Sequence, residues 1–562
     1  MSAIIECVPN FSEGRDLNKI EAITAEMAAV EGVMLLNTDP GKATNRTVVT
    51  LAGSPEAVIE AAFRGIRKAA ELIDMSKHKG EHPRMGATDV CPLIPLSGIS
   101  MEETAEYARK LARRVGEELH IPVYLYEEAQ SDKKRSNLSV IREGEYEGFF
   151  KKIQRPEWKP DYGPTVFSAK AGATVIGARD FLVAYNVNLN TTSTRRANSV
   201  AFDVREAGRI MREGDPITGK VVLDEHGQPK SIPGSLKSVK AIGWYIEEYG
   251  CAQISMNLTN MRVTPLHIAF DEVCNKASAR GMRVTGSELV GLVPLSCMLE
   301  AGTYFLSKQQ RSAGVGEEEL VRLAVMSMGL DQLAPFNPQE RIIEYVLRSK
   351  QSPAKLVSMP FAKLCTETAS ESPAPGGGSV SAAVAALGTS LGVMVANLSG
   401  HKKGWDHRWK EFSDWATEGQ RIKDILLYLV DEDTRAFNGI MEAFGLPKGT
   451  DAEKQARTLA IQKATRYAIE VPLRAMRTAS SAWGLIETMV NEGNPNSVTD
   501  AGVGALCLNA AIKGAWMNVL VNARGFDDEG FLDEVLKEGN RLVEESAQSE
   551  QRISKLVFDK IR

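Results

Sequence analysis

The sequence predicts a protein of two parts, an α/β half made of two βαββαβ subdomains and an all-α half that is an up-and-down helical bundle. Three observations predict this. In the first 130 residues, short apolar runs alternate with segments of helical periodicity. The same order of elements recurs between about residues 174 and 300, and the strand pattern disappears after about residue 346. We therefore expect subdomains at 1–178 and 179–346, a linker at 347–356 and the bundle at 357–562.

The first subdomain has five predicted strands and three predicted helices. Short apolar runs predict the strands at residues 4–8, 33–37, 47–51, 90–94 and 123–126. One helix begins near Asp16, a second has Ser54 as N-cap and Pro55 at its first position, and a third opens with a Ser100 and Glu103 capping box. This order is the split βαβ arrangement, with extra elements, and predicts a ferredoxin-like sandwich.

The second subdomain repeats that pattern. We expect strands at 181–187, a pair within 241–258 and 283–285, and helices at 195–210 and from Thr264–Pro265 onward. Residues 213–238 interrupt it with turn residues around a short hairpin pattern, which is typical of a surface insertion, and His226 within them has no expected chemical role. Two α/β subdomains leave a crevice between them, the usual place for a ligand.

The helical half contains a segment that requires a membrane test. Residues 380–398 are uncharged and long enough to cross a bilayer. They consist largely of small residues and have no aromatic girdle, so we interpret them as a central helix of the bundle, closely approached by its neighbours. We expect Pro472 to kink another helix of this half.

Composition excludes several classes of protein. A chain of 562 residues suggests three or four folding units. Lys and Arg number 67 against 72 Asp and Glu, a net charge of −5, so nucleic acid is not an expected partner. Seven scattered cysteines without a CxxC pair suit a reduced cytoplasmic protein and indicate no zinc site. The N-terminus lacks the features of a signal peptide.

The densest polar cluster is KHKGEHPRMG, residues 77–86, which we call the histidine loop. Its two histidines and three cations suggest an anion site beside a titratable base, because histidine alone has an ordinary pKa near neutrality. Of the two histidines, His82 is the better candidate because Pro83 stiffens its backbone, whereas His78 is the one more readily turned to solvent. A charged, solvated loop is the alternative interpretation.

Other polar residues follow predicted strands of the α/β half. Asn10 and Asp39 lie just after strand ends, where loops carry ligands, although both residue types are also common in turns. Asp39 is followed by a polar patch that includes Asn45 and Arg46. Residues 163–172 form a glycine-bounded link between the subdomains, predicted to be either a hinge or a segment that closes over a flat ligand.

The bundle offers a glycine-rich turn and several carboxylates. Gly376, Gly377 and Gly378 precede a predicted helix, whose free N–H groups favour an anion; the spacing is not that of a P-loop, and close backbone packing is the alternative. Asp431 and Asp433 are two residues apart in a helix, so only one faces inward. A buried carboxylate there would have a raised pKa and serve as acid and base. Asp406 and His407 belong either to the same site or to a surface pair.

In five strings the sequence resembles the bifunctional formimidoyltransferase-cyclodeaminase family: VPNFSEG, NRTV, IDMSKHKGEHPRMGATDVCP, GATVIGAR and PAPGGGSVSAAVAALG. The resemblance spans nearly the whole chain. It implies that the α/β half transfers the formimidoyl group of N-formimidoyl-glutamate to tetrahydrofolate. It further implies that the bundle closes the product to 5,10-methenyltetrahydrofolate and releases ammonia, in histidine degradation and one-carbon metabolism.

The resemblance also implies roles for residues. His82 matches the catalytic histidine of transfer, and Asp433 matches the residue of cyclisation, with Asp431 as the fallback. The folate-binding stretch of the family corresponds to Gly163, Pro164, Thr165, Val166, Phe167, Ser168, Ala169, Lys170, Ala171 and Gly172. The turn from Gly376 to Ser379 is expected to contribute to the second site.

For the reaction that this resemblance implies, we expect Lys77, Lys79 and Arg84 to hold substrate carboxylates. Arg84 is best suited to this, because its planar guanidinium can bind a carboxylate through two hydrogen bonds. Asp39 is expected to orient the amidine cation, and Asn10 is expected to bind substrate. Tetrahydrofolate, including its polyglutamate forms, is a co-substrate, and neither a metal nor a membrane span is expected. The resemblance implies a homo-octamer in which the bundle supplies one dimer contact.

Two other functions remain open on the sequence alone. In one, the α/β half is a monofunctional transferase and the bundle only assembles the oligomer. In the other, the crevice makes the protein a non-enzymatic folate-binding module. The insertion 213–238 departs from the family pattern near the expected crevice and leaves the shape of the folate-tail site open.

Overall fold

The computed structural model describes residues 3–42, 45–80, 83–215, 218–350 and 356–562, and of Ser349 and Lys350 the backbone only. These residues form a mixed α/β region followed by a helical region. The chain divides into two compact units. Unit 1 comprises Met1–Glu300 with Met328–Gln351, and unit 2 comprises Ala301–Ser327 with Ser352–Arg562.

The first part of unit 1 is a seven-stranded sheet with helices. Its elements are β1 (Ile4–Cys7), β2 (Asn10–Phe11), α1 (Leu17–Ala28), β3 (Val33–Gly41), β4 (Arg46–Gly53), α2 (Pro55–Leu72), β5 (Thr88–Ser97), α3 (Met101–Glu118), β6 (Val123–Glu127), α4 (Leu138–Ile141), α5 (Glu145–Lys152) and β7 (Thr174–Ala178). The predicted starts of α2 at Ser54 and of α3 at the Ser100–Glu103 capping box are confirmed.

Strand order in this sheet places the two parallel pairings at one end. β4 lies between β3 on one side and β1 and β2 on the other, and β5 pairs with β1 and β2. β7, a strand that the sequence analysis did not predict, lies between β5 and β6 and is parallel to both. Ile5 and Cys7 of β1 pack with α1, α2 and α3 in one hydrophobic core. Because side chains alternate along a strand, the residues of β1 between and beside them face the opposite side of the sheet.

The second part of unit 1 is a four-stranded antiparallel sheet in the order β11-β12-β8-β13. Its elements are β8 (Val183–Leu189), α6 (Thr194–Val204), β9 (Arg209–Ile210), β10 (Ser231–Ile232), β11 (Val239–Ile246), β12 (Cys251–Leu258), α7 (Leu266–Ser278) and β13 (Val284–Val290). The predicted helix 195–210 is too long, because α6 ends at Val204. Gly208 adopts a left-handed φ of +66°, and Arg209–Ile210 then form β9, which pairs with β10 in the 213–238 segment.

Helices follow from Leu295 onward: α8 (Leu295–Lys308), α9 (Glu317–Met328), α10 (Pro338–Arg341) and α11 (Ile343–Lys350). The last of these covers the first four residues of the expected linker, and residues 351–355 lie outside the described part.

The remaining helices are α12 (Phe361–Thr368), α13 (Gly377–Gly400), α14 (Trp409–Phe444), α15 (Asp451–Ser480), α16 (Trp483–Glu492), α17 (Val498–Asn522) and α18 (Glu529–Ile561). Helix α15 continues through Pro472. The small residues of α13 let neighbours approach: a Cβ on Gly388 would lie 2.8 Å from the Cys507 Cβ of α17.

Unit 2 also includes residues 301–327, which precede the expected linker. The main-chain carbonyl of Gly314 accepts hydrogen bonds from Asn397 Nδ2 (2.8 Å) and Gln420 Nε2 (3.1 Å). The main-chain N–H of Ala313 donates to Ser413 Oγ (3.0 Å). A fragment that began at residue 357 would lack these contacts, so it is an incomplete version of this unit.

Two segments are long and apolar enough to cross a membrane by length and composition, Gly377–Gly400 and Pro495–Asn522. In the structure, 61% and 44% of their most apolar windows are buried within the protein. The first of these contains the segment that we interpreted as a bundle helix.

Candidate active sites

A cleft lies between the two sheets of unit 1. Side chains two residues apart on β1 and β2, β4 and β5 face it, which reflects the alternation of strand side chains. They are Glu6, Val8 and Asn10, then Arg46, Val48 and Thr50, then Val90, Pro92 and Ile94. The second sheet contributes Ala184, Lys240, Asn257 and Val290. The cavity measures about 780 Å³, within the range of small-molecule sites, and it is the crevice that the sequence analysis expected.

Two arginines share one buried carboxylate on the wall of this cleft. Asp89 on β5 is fully buried, and its Oδ2 accepts hydrogen bonds from Arg46 on β4 and from Arg142, the residue after α4. Its Oδ1 accepts from the main-chain N–H of Met85 (3.0 Å). Both arginines line the cleft, and Arg46 Nε also donates to Asn10 Oδ1 (2.9 Å). Neither Asp89 nor Arg142 was among the predicted site residues.

The histidine loop adjoins this cluster through Asn45. His82 lies outside the described residues, so its role stays a prediction. His78 is half-buried, which contradicts its expected orientation toward solvent. Its Nε2 lies 2.9 Å from the main-chain oxygen of Asn45, while its Nδ1 accepts from Arg84 Nε (3.2 Å). Because Nδ1 accepts, Nε2 carries the proton, and burial lowers the pKa of this imidazole.

The three cations of the loop have different surroundings from those expected. Lys77 is largely exposed and pairs with Asp74 (3.2 Å), and Lys79 is also exposed. Arg84 is buried, and its guanidinium binds Glu147 (2.6 Å) and Glu145 (3.2 Å). The structure describes all three cations, and none of them lines the cleft. In this structure, the fork of Arg84 therefore holds the loop to α5 instead of facing a substrate.

The expected folate-binding stretch, residues 163–172, is hydrogen-bonded to residues that flank the histidine loop on both sides. The main-chain N–H of Met75 donates to the oxygen of Lys170 (2.9 Å), and that of Ala87 donates to the oxygen of Ala171 (2.8 Å). Gly172 pairs with Gly86, and a Cβ on either glycine would overlap main-chain atoms of the other segment. The structure therefore brings the described part of the loop and this stretch together.

The aromatic side chain of this stretch is already partnered. Phe167 packs against Tyr146 and Phe149, with ring centroids 5.5 and 6.0 Å away. Its neighbour Val166 is 69% exposed.

Asn10 and Asp39 both line the cleft. The prediction that they follow strand ends is wrong, because Asn10 is in β2 and Asp39 is within β3, which pairs with β4 as far as Gly41. Asp39 lies on β3 opposite Val48 of β4 and is exposed, whereas Asn10 is fixed by Arg46 and by its own Nδ2, which donates to the Val8 oxygen (2.7 Å).

Glu6 also lines the cleft, although it was not among the predicted site residues. It is 1% exposed, and its Oε2 has no hydrogen-bond partner among the described residues. Burial raises the pKa of Glu6 to about 8; the positive charge of Arg179 partly opposes this, and the negative charge of Glu344 adds to it. The protonated form of Glu6 therefore predominates at pH 7.

Replacing Glu6 by glutamine is expected to remove an alkaline loss of stability. The ordinary pKa is 4.5 and the folded-state pKa about 8, so the stabilising contribution is complete below pH 4.5 and is lost as the pH rises through 8. Between pH 5 and pH 9, the wild-type chain should lose up to about 4 kcal/mol relative to Glu6→Gln. Urea unfolding at both pH values measures this, with the exposed Glu102→Gln as control. Parallel pH dependence of the wild type and Glu6→Gln would contradict it.

The second candidate site is in unit 2, where α14 meets the first turn of α13. Asp433 on α14 is half-buried, and its Oδ2 accepts from Ser379 Oγ (3.0 Å). A Cβ on Gly378 would overlap the Asp433 carboxylate, so only glycine permits this approach. Burial raises the pKa of Asp433, although hydrogen bonds from the hydroxyl and main-chain N–H of Ser379 oppose the shift. The predicted association of the glycine-rich turn with Asp433 is therefore found.

The other carboxylates of the bundle lie elsewhere. Asp431 Oδ1 accepts from the main-chain N–H of Leu356 (2.7 Å), so its carboxylate binds the start of the Leu356–Ser358 turn. Asp406 precedes α14 and is 27 residues from Asp433, about 40 Å along a helix. The pair Asp406 and His407 therefore does not belong to the Asp433 site of the same chain. Among the described residues, no group of three or more His, Cys, Asp or Glu side chains is placed to hold a metal ion.

Unit 1 has an arginine-lined cleft, and unit 2 has a half-buried carboxyl group, Asp433, beside the first turn of α13. Two such sites are typical of an enzyme with two active sites. Family models match the chain in three consecutive parts. They are the formiminotransferase domain N-terminal subdomain at residues 4–179, the formiminotransferase domain at 184–348, and formiminotransferase-cyclodeaminase at 360–541.

Curated relatives agree with these matches. The chain is 43% identical to the formimidoyltransferase-cyclodeaminase of Gallus gallus over 98% of this chain and 97% of that protein. A glutamate formimidoyltransferase of Thermoplasma acidophilum is 42% identical over 54% of this chain and 92% of its own length. A methenyltetrahydrofolate cyclohydrolase of Methylorubrum extorquens is 37% identical over 34% of this chain and 93% of its own length. This chain belongs to the formimidoyltransferase-cyclodeaminase family.

Proposed function

We propose that this enzyme transfers the formimidoyl group of N-formimidoyl-L-glutamate to tetrahydrofolate and then cyclises 5-formimidoyltetrahydrofolate to 5,10-methenyltetrahydrofolate, releasing ammonia. The observation that carries the proposal is 43% identity to a formimidoyltransferase-cyclodeaminase over 98% of the chain. The two candidate sites support it, since each reaction has its own unit. The products place the enzyme in histidine degradation and one-carbon metabolism.

For transfer, N5 of tetrahydrofolate attacks the amidine carbon, and the nitrogen of glutamate leaves. A base must take the proton from N5 and return it to the leaving nitrogen. We assign this to His82. Asn45 supports the loop that carries it, because Asn45 Nδ2 donates to the oxygen of Lys79 (2.9 Å) and Asn45 Oδ1 accepts from the Gly14 N–H (3.0 Å). Residues 163–172 are proposed to bind the folate beside this loop.

For cyclisation, N10 of the folate attacks the amidine carbon and ammonia departs. The proton lost by N10 and the proton gained by the departing nitrogen can pass through one carboxyl group. We assign Asp433 to this shuttle, because burial raises the pKa of Asp433 and so makes its protonated form more accessible than that of an exposed aspartate. Ser379 orients the carboxylate by a hydrogen bond.

We further propose that the two α/β subdomains, residues 1–178 and 179–346, are ferredoxin-like. The order β11-β12-β8-β13 supports this for the second, because its four strands in chain order are arranged 2-3-1-4. In the first subdomain, β1 and β2 together occupy one position of the sheet, between β4 and β5. The order β3, β4, β1 with β2, and β5 is then the same, and β7 and β6 are added beside β5. The bundle is proposed to begin at residue 357, after a linker at 347–356, and residues 301–327 pack against it as part of the same unit.

We propose that the enzyme is a cytoplasmic homo-oligomer, an octamer by family resemblance, and that it needs no metal. Exposed apolar side chains on two packed helices of the bundle support an oligomer contact there. They are Val380, Leu387, Met394 and Leu398 of α13, and Val503, Leu506, Met517 and Val521 of α17. Folate polyglutamates are the proposed form of the second substrate.

The test is the stoichiometry of the full chain incubated with N-formimidoyl-L-glutamate and tetrahydrofolate. We expect glutamate, ammonia and 5,10-methenyltetrahydrofolate in equal amounts. Glutamate without ammonia beyond the uncatalysed rate would identify a monofunctional transferase. Folate binding without either product would identify a binding protein and contradict the proposal.

A further inference from the structure

We infer that Arg142 and Arg46 form a carboxylate-binding subsite for the amidine donor on the wall of the unit 1 cleft. The inference rests on the proposed function and assigns the donor end of that site. The two arginines belong to neither the histidine loop nor residues 163–172.

The cluster has an excess positive charge. Two guanidinium groups share one carboxylate, because both arginines donate to the same oxygen of Asp89 and the other oxygen is taken by the Met85 N–H. The cluster therefore carries a net charge of about +1. This charge is partly shielded from water, because the side chain of Asp89 is fully buried and that of Arg142 is 14% exposed. Burial lowers the pKa of Arg46 and the charge of Arg142 adds to this, while Asp89 opposes it. A partly desolvated cation of this kind favours a bound anion.

The protein does not use all the donors of Arg142. Its Nη2 donates to Asp89, and its buried Nε has no acceptor within the described part of the chain. Arginine has five N–H donors in a planar fork that matches a carboxylate. Arg142 lines the cleft together with its neighbours Asn137, Leu138 and Ser139, and its side chain is 14% exposed, so a ligand in the cleft can contact the exposed part of this side chain.

The segment that carries Arg142 is firmly held. Lys152 Nζ donates to the main-chain oxygens of Val140 (2.8 Å), Ile141 (2.9 Å) and Glu143 (3.0 Å). These bonds surround Arg142 in sequence, so its backbone is fixed before a ligand arrives. A preorganised arginine binds a carboxylate at a smaller cost in entropy.

The position of the cluster distinguishes the donor from the folate tail. Arg46 directly follows Asn45, whose main-chain oxygen and side chain bind His78 and Lys79 of the histidine loop. In N-formimidoyl-glutamate, the α-carboxylate is three bonds from the reacting carbon, about 4 Å. The glutamate carboxylates of folate lie far beyond that distance from N5. A carboxylate bound beside the described part of the histidine loop therefore fits the donor better than the folate tail.

The test compares Arg142→Met with Arg135→Met in the full-length enzyme. Arg135 is a matched control: it is 18% exposed, pairs with Asp161 (3.0 Å), belongs to the same subdomain and does not line the cleft. We expect Arg142→Met to raise KM for N-formimidoyl-L-glutamate 10- to 100-fold, with KM for tetrahydrofolate changed less than 2-fold. Competitive inhibition by the product L-glutamate should weaken to a similar extent. Arg135→Met should change neither KM.

Several outcomes would overturn the inference while leaving the proposed function intact. An unchanged donor KM in an active Arg142→Met enzyme is one, and a selective rise in KM for tetrahydrofolate, which would assign the cluster to the folate tail, is another. If Arg142→Met does not fold, Arg142→Lys keeps the charge and loses the fork. It should then raise the donor KM at least 5-fold, and an unchanged value would overturn the inference. Absence of transfer by the wild type would instead contradict the proposed function.

Discussion

Asp433→Asn is expected to abolish cyclisation and leave formimidoyl transfer intact. The amide keeps the size of the side chain and can still accept a hydrogen bond from Ser379, but it cannot exchange a proton with the substrate nitrogens. Loss of a general acid–base group costs about 10²- to 10⁴-fold in rate. We therefore expect 5-formimidoyltetrahydrofolate to accumulate while glutamate is released at the wild-type rate, measured by chromatography of the folate products.

Asp431→Asn is the matched control, because Asp431 lies on the same helix two residues away. Its carboxylate accepts from the Leu356 N–H, and the amide oxygen of asparagine can still accept, so the substitution should cost less than about 1 kcal/mol of stability and leave cyclisation within 3-fold of wild type. A large loss of cyclisation in Asp431→Asn, with Asp433→Asn active, would reverse the assignment of the two carboxylates.

Gly378→Ala is expected to reduce cyclisation at least 100-fold without changing transfer. The new Cβ would overlap the Asp433 carboxylate, so either the carboxylate or the first turn of α13 must move. A displacement of about 1 Å in a catalytic group can cost about 10²-fold in rate. The measurement is the rate of ammonia release from 5-formimidoyltetrahydrofolate.

Gly376→Ala controls for the loss of a glycine in the same turn. The nearest atom to a Cβ at Gly376 is the Pro373 oxygen at 3.9 Å, which is ordinary contact, and its φ of −108° suits any residue. This variant should cyclise within 3-fold of wild type. Equal losses in both variants would show that the turn matters for its flexibility and not for its approach to Asp433.

The elements of the fold could be predicted where the pattern is local. Ser100 and Glu103 are three residues apart, and they form the predicted capping box. The alternation of β1, β4 and β5 that divides the core from the cleft is likewise contained in short apolar runs. The boundary of α6 was wrong because β9 depends on pairing with β10, more than 20 residues later.

The candidate sites could be predicted only as residue types. Glu145 and Glu147, which occupy Arg84, are 61 and 63 residues away in sequence, and no local pattern indicates that pairing. Arg142 was missed because it follows a four-residue helix and meets Asp89 from 53 residues away. Asp433 could be chosen as a candidate, but the reason that it differs from Asp431 is a contact with Ser379, 54 residues earlier.

Complementation between two inactive variants tests most directly whether the chain holds two independent active sites. His82→Ala should lack transfer, Asp433→Asn should lack cyclisation, and neither alone should convert N-formimidoyl-L-glutamate and tetrahydrofolate to 5,10-methenyltetrahydrofolate at an appreciable rate. An equimolar mixture should restore that conversion, because the intermediate released by one protein is the substrate of the other. A mixture no more active than its components, with both half-reactions lost in each variant, would contradict two separate sites.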